Sequence, residues 1–291
     1  MTPYFEPWTL NLKLSLMTKL IADSGSTKTD WCVCTQGVIL QRIQTQGINP
    51  FHQSPEDIAS IIRDVATQLT ETSAIHHVEF YGAGCALPDK KAIVAEALQK
   101  ALPECTNIYV SSDLEGAARA VCQSEAGIAC ILGTGSNSCQ FDGQRIVANT
   151  PCLGYILGDE GSGAVLGRTL ASNCFKGKLP PHLCKAFLTE YNLDQATLLE
   201  RVYRQPLANR FLASLTPFLS KHREEPAIHA LLIEEFTRFL RRNVLAYDTT
   251  LPVHFVGSIA YYFSDELTES ANSLGLTVGR ILRAPMEGLT Q

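Results

Sequence analysis

The 291-residue chain lacks most of the features that assign a protein quickly. No apolar run approaches the roughly 20 residues that cross a bilayer, which sets aside a membrane partner. Residues 1–16 lack the basic start and long apolar core of a secretion signal and carry Glu6. The ten cysteines include no CxxC pair and no Cys/His cluster with zinc spacing. There is no basic surplus either: 24 Lys and Arg stand against 29 Asp and Glu, for a net charge of -5, which argues against nucleic-acid binding. The phosphate signature GxxxxGK[ST] is missing despite Lys28-Thr29, and no GxGxxG opens a helix. Those two absences exclude a P-loop NTPase and a dinucleotide-binding domain.

What is present is globular. Hydrophobic residues make up 45% and charged residues 18%, over a length that suits two domains. Several cysteines (Cys32, Cys34, Cys130, Cys139) fall inside expected strands, so the set reads as reduced, mostly buried thiols of a cytoplasmic protein. Met17 stands just before the first expected strand. Residues 1–16 therefore read either as an upstream, non-native extension or as a loose N-terminus.

The first half alternates strands and helices. Strands are expected over 19–24, 30–35 and 38–44, with Gln36-Gly37 turning between the last two. Ser54-Pro55-Glu56-Asp57 has the form of a capping box opening a helix. A strand over 78–82, a helix over 89–101 and a strand over 108–112 follow. A second round starts at Gly127, with strands over 128–132, 138–142 and 145–148. Ile21-Ala22-Asp23-Ser24-Gly25-Ser26 and Ile131-Leu132-Gly133-Thr134-Gly135-Ser136 match in kind: a strand, then a small, hydroxyl- and Gly-bearing loop into another strand. This predicts a duplicated α/β unit. A mostly helical stretch over 159–247, strands over 253–256 and 276–282, and a helix over 259–273 complete the chain. No low-complexity linker separates the halves, so the boundary is expected inside a helix near residues 116–124. The expected domains are 17–117, with a short helix over 284–291 packing back on it, and 118–283, with a helical insertion. They are expected to hinge around a cleft.

Glycine lets a backbone approach an oxyanion closely, and Ser and Thr hydroxyls add donors. One such loop is explained equally well by a plain turn. Two loops in matching places fit a triphosphate, which needs donors from two sides. Both loops connect strand to strand.

Asp23-Ser24-Gly25-Ser26-Thr27-Lys28-Thr29 resembles the first phosphate loop of the superfamily of actin, hexokinase and the 70-kilodalton chaperones, and Leu132-Gly133-Thr134-Gly135-Ser136-Asn137 resembles its second. Val256-Gly257-Ser258 is similar to the adenosine-contacting segment. Ser111-Ser112-Asp113 with Glu115-Gly116-Ala117-Ala118, and Gly158-Asp159-Glu160-Gly161-Ser162-Gly163, resemble the family that joins N-acetylglucosamine kinase with the BadF/BadG/BcrA/BcrD-type activator ATPases. The resemblance runs from Met17 across nearly the whole chain. It implies two ribonuclease H-like domains of the actin-like ATPase fold, with ATP and Mg²⁺ as cofactors and a sugar as the small-molecule partner. The relatives also point to a homodimer.

The resemblance also implies site residues. Asp113 would be the catalytic base, accepting the proton of the attacking sugar hydroxyl; as a residue after a strand it could equally cap the next helix. Asp159 would hold sugar hydroxyls, or cap the helix after it. Cys152, Leu153 and Gly154 would border the sugar, with Asn49 and Asn137 as further contacts; both asparagines also read as turn residues. Asp23 would be the magnesium-side carboxylate. The loop residues Ser24, Gly25, Ser26 and Thr27, and Gly133, Thr134, Gly135 and Ser136, would hold phosphates. Ala213, Gly257 and Ser258 would lie near the nucleoside. Two departures stand out: Asp23-Ser24 occupies a place where a third glycine is frequent, and Leu153 replaces an aromatic of animal relatives.

These expectations favour an ATP-dependent amino-sugar kinase acting on N-acetylglucosamine at its 6-hydroxyl. An activator ATPase coupled to electron transfer, and a non-catalytic sugar or nucleotide sensor, are the alternatives. The cysteines placed within strands weigh against the former, and Asp113 against the latter.

Overall fold

The computed structural model describes residues 18–25, 27–70 and 75–291. The expectations for residues 1–16, Met17 and Ser26 lie outside them. The chain divides into two compact units, one of residues up to Gly116 together with Leu289–Gln291, the other Ala117–Gly288.

The first unit is built on β1 (Thr18–Ser24), β2 (Lys28–Thr35), β3 (Val38–Gln46), α1 (Pro55–Gln68), β4 (Ile75–Gly82), α2 (Pro88–Ala101) and β5 (Asn107–Ser112), and α3 (Asp113–Cys122) carries the chain onward. The sheet order is β3-β2-β1-β4-β5. β1 pairs antiparallel with β2 and parallel with β4, and β4 pairs parallel with β5. Leu20, Ile21 and Ala22 are buried on both faces of β1, as a central strand between two partners requires. β3 lies at the edge and is mostly polar and exposed. The capping box at Ser54 is formed, with Ser54 Oγ accepting from the Asp57 amide at 3.1 Å. Helices α1 and α2 press Ile58, Ile62, Val65, Val94 and Leu98 into a core shared with Trp31 and Phe80, whose rings are 5.7 Å apart. Each large side chain fully buried there contributes about 1.5–3 kcal/mol.

The second unit repeats the plan. It contains β6 (Gly127–Leu132), β7 (Ser136–Phe141), β8 (Ile146–Thr150), β9 (Val253–Val256) and β10 (Val278–Leu282), ordered β10-β9-β6-β7-β8. β6 pairs antiparallel with β7 and parallel with β9, as β1 does with β2 and β4. The duplicated α/β unit expected from the two loops is therefore present strand for strand.

The difference lies in what joins the strands. Where the first unit has α1 alone, the second has α4 (Gly154–Leu157), α5 (Gly163–Phe175), α6 (Pro181–Glu190), α7 (Gln195–Tyr203), α8 (Ala208–Ala213), α9 (Thr216–Lys221), α10 (Pro226–Phe239) and a π-helical turn, Leu240–Val244. Their apolar faces bury Phe187, Phe218, Phe236 and Phe239 against Phe255 of β9. The helix expected over 259–273 is two, α11 (Ser258–Tyr262) and α12 (Ser264–Ser273), broken where Phe263 turns inward with 2% exposure. The closing helix is a single turn, α13 (Met286–Leu289).

Of the ten cysteines, Cys152 is exposed, Cys184 is partly buried and the rest are buried; none forms a disulfide. No helix among the described residues is long and apolar enough to cross a membrane.

Candidate active site

In the first unit the parallel strands β1, β4 and β5 end on one side of the sheet, the side where open α/β sheets take ligands. Asp23 is the penultimate residue of β1, and Asp113 follows the last residue of β5. Their charges interact. Burial, then the repulsion of Asp113 and Asp30, raises the Asp23 carboxyl to about 7, with Lys28 opposing. Burial also raises Asp113, against amide hydrogen bonds from Leu114 and from its own main chain.

Asp113 does not cap the following helix. Asp113 is itself the first residue of α3, and Ser112 Oγ accepts from the Glu115 amide at 3.2 Å. The capping task falls to serine, and the Asp113 carboxylate is left at the strand end. Beneath it lies a network that the sequence did not reveal. Lys91 Nζ donates to Ser111 Oγ at 3.2 Å, Ser111 donates to Glu115 at 2.6 Å, and the Tyr109 hydroxyl donates to the same carboxylate. The helix can start this close because of Gly116, where a Cβ would stand 2.6 Å from Tyr81 Cβ.

The first loop closes through the Gly25 amide on the Lys28 carbonyl at 3.0 Å, and leaves Gly25 and Thr27 exposed at its tip. Ser24 departs from its expected role as a phosphate ligand. Its side chain is fully buried, donates to the Ile48 carbonyl at 3.1 Å, accepts from the Ile48 amide at 2.9 Å, and pairs with the Thr29 hydroxyl at 2.7 Å. Ser24 thus anchors the loop to the segment that carries Asn49. Asn49 Oδ1 accepts from the Phe51 amide at 3.0 Å, and the Asn49 amide donates to Gln53 Oε1 at 2.7 Å; together these form the turn.

In the second unit the corresponding loop is braced. The Gly133 amide donates to the Gly135 carbonyl at 3.0 Å. The first amides of α5, Gly163 and Ala164, donate to the carbonyls of Gly133 and Thr134 at 2.8 and 3.1 Å. Thr134 is exposed. Gly257 caps α11 with φ at +124°, and a Cβ there would stand 2.3 Å from the Leu132 carbonyl oxygen. The end of β9 is thereby held against the root of the loop, with Ser258 exposed beside it. Ala213 also belongs to this cluster, 3.1 Å from where a Cβ on Gly163 would sit.

Asp159 is not a cap either: Ser162 Oγ caps α5 by accepting from the Val165 amide at 3.3 Å. Asp159 holds a left-handed backbone, with φ at +54°, and its carboxylate lies beside Gly135 and takes a hydrogen bond from the Ser136 main chain. Burial raises its carboxyl, as does the neighbouring Glu160. A cavity of about 280 Å³ gathers Ser136, Cys152, Leu153 and Asp159 with residues not foreseen as site residues, among them Glu160, Arg242 and Asn243. Its size lies near the lower end for small-molecule sites, roughly 300–1,000 Å³. Asn137 Oδ1 accepts from the Ser138 amide at 2.9 Å and from Asn149 at 3.2 Å, which stabilises the strand end. Gly154 opens α4.

Among the described residues no three His, Cys, Asp or Glu side chains form a ready cation cage. The donor set nonetheless fits Mg²⁺. Asp23 is a hard oxygen donor whose charge is disfavoured without a cation, and Mg²⁺ usually takes one or two carboxylates with the rest of its shell from phosphate oxygens and water.

Residues 22–172 match the model of the BadF/BadG/BcrA/BcrD ATPase family. No curated protein matches the chain. Among solved structures, a protein from Porphyromonas gingivalis provisionally named an N-acetylglucosamine kinase is 51% identical, with a TM-score of 0.90 over 94% of this chain and 97% of that one. A protein from Chromobacterium violaceum with the same provisional name is 19% identical, with a TM-score of 0.71 over 95% and 98%. A glucokinase of the ROK family from Streptomyces griseus, solved with glucose and AMPPNP, is 13% identical, with a TM-score of 0.60 over 94% and 96%. The last two share the fold, which is the α/β, two-domain fold of the actin-like ATPases.

Proposed function

Because the chain belongs to the BadF/BadG/BcrA/BcrD ATPase family, we propose that it is an ATP-dependent sugar kinase that phosphorylates an amino sugar, N-acetylglucosamine, at its 6-hydroxyl. The observation that carries this reading is the pair of carboxylates at the ends of β1 and β5, the parallel strands either side of β4 in the first unit: Asp23 and Asp113, both with raised affinity for protons. A carboxyl buried beside a second acid is suited to accept a proton near neutral pH.

In this reading Asp113 takes the proton of the attacking hydroxyl and aligns it with the γ-phosphorus. Phosphoryl transfer asks little covalent chemistry of a protein, so positioning and charge neutralisation carry the rate. Mg²⁺, when bound with ATP, supplies the neutralisation, with Asp23 on its coordination side. Thr27 and Thr134 offer hydroxyls to phosphate oxygens, and Gly25, Gly133, Gly135 and Ser136 offer close backbone approach. Ser258, Gly257 and Ala213 border the nucleoside. Asp159, Asn49, Asn137 and the 152–154 segment receive the sugar. The 51% identity to the Porphyromonas gingivalis protein supports the choice of acceptor. The proposal extends to a cytoplasmic setting and a homodimer.

A panel of sugars in a coupled ADP-release assay tests the proposal. N-acetylglucosamine is expected to give the highest kcat/KM, above glucosamine, N-acetylgalactosamine and glucose, and its 6-deoxy analogue is expected to be inert. Turnover of the 6-deoxy analogue, or ADP release indifferent to every sugar, would sink it.

A further inference from the structure

Beside Asp159 the cavity holds a charged pair that hydroxyl binding alone does not require. Glu160 is 5% exposed, and one carboxylate oxygen lies 3.0 Å from Nε of Arg242. The other oxygen is 3.5 Å from Nδ2 of Asn243. Arg242 and Asn243 are consecutive, and both belong to the π-helical turn Leu240–Val244. Such a turn carries one residue more than an α-helical one, shifts the phase of the side chains, and recurs at functional sites.

The turn is fixed in place. Thr150 Oγ1 donates to the Asn243 carbonyl at 3.0 Å, and Asn243 Nδ2 donates to the Phe239 carbonyl at 3.1 Å. The Tyr247 hydroxyl accepts from the Thr150 amide at 2.6 Å and donates to the Ser138 carbonyl at 2.9 Å. Arg242 is thus presented on a rigid wall. Its side chain is 56% exposed, and Nε faces Glu160 while the two terminal amino groups remain as donors. The lining residues comprise two acids, Asp159 and Glu160, and one base, so Arg242 is already neutralised within its own wall.

We propose that the Glu160–Arg242 pair is the acceptor-specificity filter of this cavity. The terminal amino groups of Arg242 donate to the carbonyl oxygen of a neutral N-acyl substituent on the sugar. An acceptor that carries a carboxylate on that side meets a guanidinium already committed to Glu160 and a second acid at Asp159, and is rejected by like-charge repulsion. The inference rests on the sugar-kinase reading and adds what that reading does not supply, the group that reads the substituent.

The test compares kcat/KM for N-acetylglucosamine and for N-acetylmuramic acid, the same sugar bearing a lactyl carboxylate, in the wild type, Glu160→Gln and Arg242→Gln. The wild type is expected to favour the neutral sugar by about tenfold or more. Glu160→Gln frees Arg242 and moves the ratio at least about tenfold toward the acidic sugar. Arg242→Gln raises KM for the neutral sugar about tenfold with kcat changed less than about threefold, a split that a purely structural role would not give. A ratio in Glu160→Gln within about twofold of wild type overturns the filter, as does an unchanged KM in Arg242→Gln. Arg242→Gln, at an exposed position, keeps the test decisive if Glu160→Gln does not fold. If the wild type shows no sugar-dependent turnover at all, the kinase reading fails separately. Calorimetric titration of the two sugars into wild type and Arg242→Gln then reads the filter by itself, with equal affinities in both proteins overturning it.

Discussion

β5 and β10 occupy the same place in their sheets, each outermost beside a parallel neighbour. β5 runs into Ser112 and Asp113, whereas β10 runs into Arg283, whose guanidinium lies 5.6 Å from the centre of the Tyr262 ring. β1 ends on Asp23-Ser24, and its counterpart β6 leads to Gly133-Thr134. One strand plan thus carries acids at the ends of β1 and β5 in one sheet, and small neutral residues at the ends of β6 and β9 in the other. The first unit holds groups suited to a proton and a cation. The second holds a backbone surface suited to close approach, and keeps its own acids, Asp159 and Glu160, on the segment before α5. Duplication supplied the frame, and the residues just past each strand end divided the chemistry.

That division can be broken from either side. The largest expected effect is at Asp113. Asp113→Asn should lower kcat by about 100-fold or more while leaving ATP and sugar affinities near normal, measured by ADP release and calorimetry. Near-normal turnover would remove the base from the first unit and with it the asymmetry.

Asp23 comes next, through pH. Its carboxyl is raised from 3.8 to about 7 in the folded protein, so the folded state binds the proton more tightly than the unfolded one. The stabilisation is complete below about pH 4 and is lost as pH rises toward 7. Metal-free Asp23→Asn should therefore be more stable than wild type above pH 7, by about 2 kcal/mol after allowance for its partial exposure. The same variant should need more Mg²⁺ for half-maximal turnover. Chemical denaturation with a chelator at pH 4 and pH 8 measures the first part, and a variant no more stable than wild type at pH 8 would contradict it.

Gly257→Ala probes the second unit. A methyl group would meet the Leu132 carbonyl at an unfavourable φ, so the strand end must withdraw from the loop. KM for ATP should rise about tenfold with KM for the sugar little changed. An equal loss for both substrates would place the effect outside the nucleotide region.

The smallest effect sharpens the comparison inside the first loop. Ser24→Ala should cost about 1 kcal/mol of stability, because the Ile48 amide and Thr29 lose a buried partner. KM for ATP should stay within about twofold of wild type. A tenfold rise would restore Ser24 to the phosphate ligands.

Much of this was legible from local pattern. Each loop alone reads equally well as a plain turn, but their repetition in matching places stands out and foretold two like sheets. Ser54 to Asp57 declared a capping box that formed as written. The helical stretch was visible only as a block, since Leu and Phe at helical spacing do not mark where one buried helix ends and another begins. Ser24, Ser112 and Ser162 show a second limit. Which hydroxyl or carboxylate serves as cap, ligand or internal tie depends on where the helix starts to within a residue, as at Ser112 and Ser162, or on a partner distant in sequence, as Ile48 is for Ser24. Arg242 was out of reach for the same reason. It lies far along the chain from Glu160, on a turn whose phase no periodicity announces.

The most direct measurement of the central claim is a ³¹P spectrum of the wild type incubated with Mg²⁺-ATP, with and without N-acetylglucosamine. With the sugar, ADP should accumulate in step with a phosphate monoester coupled to the protons on C6, and without it ATP should persist. ATP consumed at the same rate in both samples, with inorganic phosphate as the product, would contradict the account.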